Sequence, residues 1–129
     1  MSDVDNFILE KFIPFREAVI DAVKTKHPYV VGVLESILSG KQNSVGFQVT
    51  ENNQVVGEYT FSLNGIRIEN TEVGKLDAKV YHPFLGIIKP CIVTERSAIE
   101  RAIKDPEFIS EPLSAVSKLL PDLKLTFLR

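Results

Sequence analysis

Gly57-Glu58-Tyr59-Thr60-Phe61-Ser62-Leu63-Asn64-Gly65-Ile66-Arg67-Ile68 is the stretch that decides the fold. Tyr59, Phe61 and Leu63 alternate with Glu58, Thr60 and Ser62. A period of two puts one set of side chains on a buried face and the other toward solvent. Asn64-Gly65 tolerates the positive φ angles of a type I′ turn, and Ile66 and Ile68 continue beyond it, so the stretch reads as a β-hairpin. The pattern extends both ways. Val45, Phe47 and Val49 alternate before it and join it through the loop Glu51-Asn52-Asn53-Gln54. After it, a turn over residues 71–75 containing Gly74 leads to Leu76, Ala78 and Val80, interleaved with Asp77, Lys79 and Tyr81. This predicts an antiparallel sheet of about four to six strands with one face to cover.

The flanking segments supply the cover. Val4, Phe7, Ile8, Phe12, Phe15, Val19, Ile20 and Val23 recur at helical spacing after Asp3 or Asp5, either of which can cap the start. Pro14 either kinks this helix or starts a new one. Arg16 is the only intruder on its broad apolar arc. Pro28 suits the first turn of a second helix with Val30, Val31, Leu34, Ile37 and Leu38 inside and Gly40 as its C-terminal cap. Lys41-Gln42-Asn43-Ser44 reads as a polar turn. Thr94, or a capping box of Ser97 and Glu100, opens a third helix bearing Ala98, Ile99, Ala102 and Ile103, which Asp105-Pro106 ends. Ser110 caps a fourth helix with Leu113, Val116, Leu119 and Leu120. Pro121 stops it, and Leu123, Leu125, Phe127 and Leu128 form a terminal strand. The expectation is an α+β domain spanning residues 1–129: N-terminal helices packed on one face of an antiparallel sheet, two later helices and a C-terminal strand.

Composition narrows the function. The chain has 129 residues, 44% apolar and 25% charged, which is ordinary for a globular domain able to bury a core. A net charge of −2 with dispersed Lys and Arg argues against a nucleic-acid partner, since a duplex reader needs a basic stripe. The one cysteine, Cys91, rules out an intramolecular disulfide and is compatible with a reducing compartment. The acidic start Met1-Ser2-Asp3-Val4-Asp5 does not read as a secretory leader, and no apolar run reaches the length of a membrane span. A cytoplasmic protein without integral membrane association is expected.

Chemistry-bearing motifs are scarce. His27 and His82 each precede a proline and read as loop residues; with one cysteine they do not make the ligand set of a zinc site, so no metal is expected. Cys91, between Pro90 and Ile92, reads as a small buried apolar residue, because a reactive thiolate needs an electropositive, partly open setting. No Gly-x-Ser-x-Gly elbow, phosphate-cradling loop or dinucleotide fingerprint occurs, so neither catalytic residues nor a cofactor are expected. Glu95, Glu100, Asp105 and Glu107 read as a solvated surface, Glu100 lying four residues from both Arg96 and Lys104. The eight phenylalanines are the feature to weigh. A broad apolar helix face on a one-sided sheet either closes a dry core or encloses a pocket for an apolar ligand. The candidate ligand-binding residues are Phe12, Phe15, Arg16, Val19, Phe47, Phe61, Phe84 and Ile88. Arg16 either orients a polar head group or snorkels to solvent. The segment between Pro83 and Pro90, with Phe84, Leu85, Ile87 and Ile88, reads as core, lid or contact patch for another subunit.

The hairpin from Gly57 to Ile68 resembles the central hairpin of the sterol carrier protein type 2-like family. Ile92-Val93-Thr94, leading into the helix around Ala98 to Ile103, is similar to the strand and helix that follow in that family. Helices preceding a strand meander fit as well, so the likeness covers roughly half the chain. It implies a sheet with helices over one face enclosing an apolar tunnel for lipids or fatty acyl groups, and it carries no catalytic residues. The chain departs from the family in having no glycine from Leu119 to Leu128 and in its Pro83–Pro90 segment. The leading expectation is a non-catalytic binding module for an apolar small molecule. The alternative is a protein-interaction or homodimerisation domain with a closed core.

Overall fold

The N-terminal segment is helical, and its start is set by Ser2 rather than by Asp3 or Asp5. The Asp5 N–H donates to Ser2 Oγ (3.1 Å) and the Ser2 N–H donates to Asp5 Oδ2 (3.2 Å), a closed capping box. The computed structural model describes residues 2–38 and 42–129, apart from the side chain of Ile37. Helix α1 (Asp3–Phe7) widens into a π-helical turn (Ile8–Phe12) and resumes as α2 (Ile13–Lys26). Pro14 neither ends nor restarts the helix sharply. The Ile13 N–H reaches back five residues to the Ile8 carbonyl, and this wider π-helical register carries the helix past Pro14, which has no N–H to give.

Helix α3 (Pro28–Leu38) starts at the proline as expected, but its expected inner face is largely outside. Val31 is buried; Val30 and Leu34 are exposed, beside Val33 and Tyr29 (88% exposed). The cause is that among the described residues α3 packs chiefly on α2, with Glu35 beside Gly65 of the hairpin turn. The expected cap at Gly40 and the inward placing of Ile37 lie outside the described residues.

Strands β1 (Asn43–Glu51), β2 (Gln54–Asn64) and β3 (Arg67–Val73) form the meander, β1 beginning within the expected polar turn. Asn52 and Asn53 both have positive φ (53° and 64°), so this two-residue loop carries the type I′ geometry. At the second turn only Gly65 has a positive φ (61°), at the first central position of a Gly65-Ile66 loop.

The sheet is mixed, not purely antiparallel. Its order is β3-β2-β1-β6-β7, with β6 (Pro90–Glu95) parallel to β1 and antiparallel to β7 (Leu123–Phe127). A strand re-entering parallel to β1 and β3 needs a crossover of a dozen or more residues, which the chain between Val73 and Pro90 supplies. This crossover corrects the expected strand at Leu76–Val80. The alternation there is real: Ala78 is buried while Asp77 and Lys79 are exposed. It arises because the segment lies across the sheet's second face. Thr60 Oγ1 donates to the Lys75 carbonyl (2.6 Å) and accepts from Asp77 N–H (2.9 Å), and Lys79 bridges to Ser44. The crossover ends in a small hairpin, β4 (Val80–His82) and β5 (Gly86–Ile88).

Helix α4 (Arg96–Lys104) follows β6 directly; neither Thr94 nor the Ser97–Glu100 box caps it. The fourth helix does not start at a Ser110 cap: Ser110 ends α5 (Glu107–Ser110), and α6 (Pro112–Ala115) followed by a 3₁₀ turn (Val116–Leu119) completes a broken C-terminal segment. Its buried residues are Phe108, Pro112 and Ala115, while Leu113, Val116 and Leu120 are exposed. No helix among the described residues is long and apolar enough to cross a membrane.

Candidate functional site

The core sits between the sheet and the first helical segment. By alternation, Phe47 and Val49 of β1, Tyr59 and Phe61 of β2, and Ile92 and Thr94 of β6 share the helix-facing side. Val4 and Ile8 cover one part of this face and Ile99 of α4 another. Phe12 stacks on Phe47 (centroids 4.8 Å apart), and Phe47 contacts Phe61 (5.2 Å). Polar ties hold the helix in place. The buried Tyr59 hydroxyl donates to Asp5 Oδ1 (2.6 Å), and Gly57 leaves it room, since a Cβ there would stand 2.6 Å from that oxygen. Further along, Glu17 accepts from the Ile68 N–H (3.2 Å) and from Arg67 (2.9 Å), which also pairs with Asp21 (2.5 Å).

α2 meets the C-terminal helices where Phe15 and Phe108 pack edge-on (5.8 Å) and Val19 joins the Ala102, Phe108 and Ala115 cluster, but beside this contact the layer is incomplete. It leaves an open cleft of about 250 Å³. Its floor is Phe47, Ile92, Thr94 and Leu123. One wall is Phe12, Phe15, Arg16 and Val19 from the first helical segment. The other is Ile99, Ala102, Phe108, Val116 and Leu119. Its polar side chains are those of Thr94, which is buried, and Arg16. The guanidinium of Arg16 is partly buried, donating to the Ile66 carbonyl (2.8 Å) and to Glu17 (3.3 Å). Burial pulls its pKa below the ordinary arginine value, and Glu17 opposes that shift.

Five of the eight candidate residues thus meet at one place: Phe12, Phe15, Arg16, Val19 and Phe47. Phe61 lies beneath in the core, stacked on Phe12 and tilted against Phe47. Phe84 and Ile88 do not belong to the cleft. They lie on the β4–β5 hairpin, where Phe84 is 91% exposed and Leu85 and Ile87 are exposed too. The segment between Pro83 and Pro90 is therefore not core. The cleft residues beyond those expected come from β6, α4 and the C-terminal helices. The sequence marks Ile99 and Ala102, Val116 and Leu119, and Leu123 as apolar positions of their elements, but nothing in it says that they converge on one cleft. A broader, shallow depression lies on the outer face of α3 at Pro28, Tyr29, Gly32, Val33 and Ser36, with no opposing element among the described residues.

The other groups considered in the sequence are placed as follows. Cys91 is buried on the sheet's second face near Gly46 and Leu76, and burial raises its pKa. His27 ends α2, while His82 Nδ1 accepts the N–H groups of Phe84 (3.1 Å) and Leu85 (3.0 Å) inside the hairpin. Arg96 pairs with Asp3 (2.8 Å) and Glu51 (3.3 Å) rather than with Glu100. Glu95 accepts from Thr50 Oγ1 (2.6 Å), and Asp105 and Glu107 both bind Lys118 (2.8 Å each). Among the described residues no group of three or more His, Cys, Asp or Glu side chains is arranged to hold a metal ion. Comparison with protein-family models, curated protein sequences and solved structures returned no match.

Proposed function

We propose that the chain is a non-catalytic binding module that takes an apolar small molecule, of the fatty acyl, lipid or sterol-like class, in the cleft between its helices and its sheet. One observation supports this reading: an open, almost wholly apolar cleft of about 250 Å³ sits where the helical layer is incomplete, with Arg16 the one cation among the described residues at its wall. Its size is just under the usual range for small-molecule pockets, about 300–1,000 Å³, which suits one chain-like molecule entering from the open side. The resemblance to the sterol carrier protein type 2-like family points the same way. Burying about ten methylenes at about 0.8 kcal/mol each is worth about 8 kcal/mol before ordering costs, which sets micromolar affinity as the upper bound. Arg16 has five N–H donors, and its two bonds to Ile66 and Glu17 leave others for a carboxylate or carbonyl head group.

Native mass spectrometry of gently purified protein tests the reading. An adduct with the mass of a lipid or fatty acid, lost on organic extraction, is the expected result. Protein that carries no adduct and binds no added fatty acid overturns it. Arg16→Met is expected to weaken a fatty acid by about tenfold relative to the corresponding alcohol, one charge-assisted bond being worth about 1.5–3 kcal/mol. Equal weakening of both ligands would remove Arg16 from head-group recognition.

A further inference from the structure

We propose that two copies of this chain pair through the free edge of β7 in one defined register, and that each copy lends a side chain to the rim of the other's cleft. β7 is the outermost strand beyond β6, and Lys124 to Phe127 are all exposed. Two bonds that bracket the strand fix its hydrogen-bonding phase. The Glu95 N–H donates to the Asp122 carbonyl (3.1 Å), and the Leu128 N–H donates to the Lys89 carbonyl (2.7 Å). In the β6–β7 register, residues 122, 124, 126 and 128 therefore direct their backbone groups at β6. The alternation of an antiparallel ladder turns those of Leu123, Leu125 and Phe127 outward.

These outward groups are self-complementary. An antiparallel copy centred on Leu125 sets Leu125 opposite the partner's Leu125 and Leu123 opposite the partner's Phe127. Every residue in these pairs has its N–H and C=O pointing at the junction. The same register sets Lys124 opposite the partner's Thr126, so like charges do not meet directly. β7 also lacks the proline, glycine or bulge that blunts an edge strand. The opposite edge, β3, carries exposed Glu69 and Glu72. Pairing β3 with β7 would chain copies into an open filament, whereas β7 on β7 closes about a two-fold axis.

The junction reaches the cleft. Leu125 (61% exposed) and Phe127 (58% exposed) share the face of Leu123, which forms part of the cleft floor. Directly opposed residues in an antiparallel pair also share a face. The partner's Phe127 therefore stands beside Leu123 and extends the cleft's apolar rim. The pairing concerns the sheet edge and holds whether or not the cleft takes a ligand.

Sedimentation equilibrium combined with cysteine scanning tests the proposal. Opposed Cα atoms in such a pair are about 5.5 Å apart, within disulfide reach, while diagonal neighbours at about 7–8 Å are beyond it. The wild-type protein is expected to sediment at twice the mass of one chain. Leu125→Cys is expected to form a covalent dimer under mild oxidation and Lys124→Cys to form little; the buried native Cys91 contributes none. Leu125→Lys, which brings two ammonium groups face to face, is expected to sediment as a monomer with an unchanged circular dichroism spectrum. A monomeric wild type at tenth-millimolar concentration overturns the proposal. So does cross-linking of Lys124→Cys as readily as Leu125→Cys.

Discussion

Tyr59 shows how a single side chain joins the helical layer to the sheet. Its ring is buried beside Phe47 and Phe61, and its hydroxyl reaches the Asp5 carboxylate. Burial and then the Asp5 bond raise the Tyr59 pKa far above its ordinary value, and the same bond lowers that of Asp5. For Tyr59 the folded value exceeds the unfolded one. Its contribution is thus complete below about pH 10 and is lost as pH rises toward the folded pKa. For Asp5 the folded value is depressed, so its contribution is present above about pH 4 and is lost as pH falls through the folded pKa. Tyr59→Phe is expected to cost about 1–2 kcal/mol in urea unfolding at neutral pH. It should also flatten the fall in melting temperature above about pH 10. An unchanged alkaline limb would show that the hydroxyl does not carry this linkage. Phe47 belongs to the same scale: it touches Phe12, Tyr59 and Phe61, and Phe47→Ala is expected to cost about 3–5 kcal/mol by leaving a cavity.

At the scale of elements, the sequence was most legible where the chain's own chemistry sets the geometry. Asn52-Asn53 was readable as a turn because asparagine tolerates left-handed φ, and both residues have it. Asn53→Ala is expected to destabilise by about 1 kcal/mol and Asn53→Gly to be nearly neutral, as chemical denaturation will report. A loss equal for both variants would mean that the asparagine side chain, not the backbone angle, matters. Legibility failed where a pattern had two causes. The alternation at Leu76–Val80 records a segment lying flat on the sheet, which gives the same period as a strand within it. The apolar residues from Leu113 to Leu120 suggested one helix, but α6 gives way to a 3₁₀ turn at Val116, and the residues turned inward are Phe108 before Pro112 and Ala115 after it. The parallel placement of β6 was invisible, because it depends on where the crossover delivers the chain and not on any residue in β6.

At the scale of the whole molecule, the candidate site was half legible. The first helix and β1 supplied Phe12, Phe15, Arg16, Val19 and Phe47, because a broad apolar arc on a one-sided sheet must meet it somewhere. The far wall was not readable, because it depends on how far the C-terminal helices stand from α2. Phe84 reads as a cleft residue because it joins the phenylalanine set, whereas the β4–β5 hairpin carries it into solvent away from the cleft. Phe84→Asp is accordingly expected to change unfolding free energy by less than about 0.5 kcal/mol, and a larger loss would place the hairpin in the core after all. The central claim is that the space between α2 and the C-terminal helices is a binding site rather than loose packing. It is tested most directly by titrating a pyrene-labelled fatty acid into the wild type and into Val19→Trp, which fills the cleft from one wall. Saturable binding that weakens by at least about tenfold in the folded variant, a difference of about 1.4 kcal/mol, is the expected outcome. Binding of the same strength to both proteins, or to neither, would contradict it.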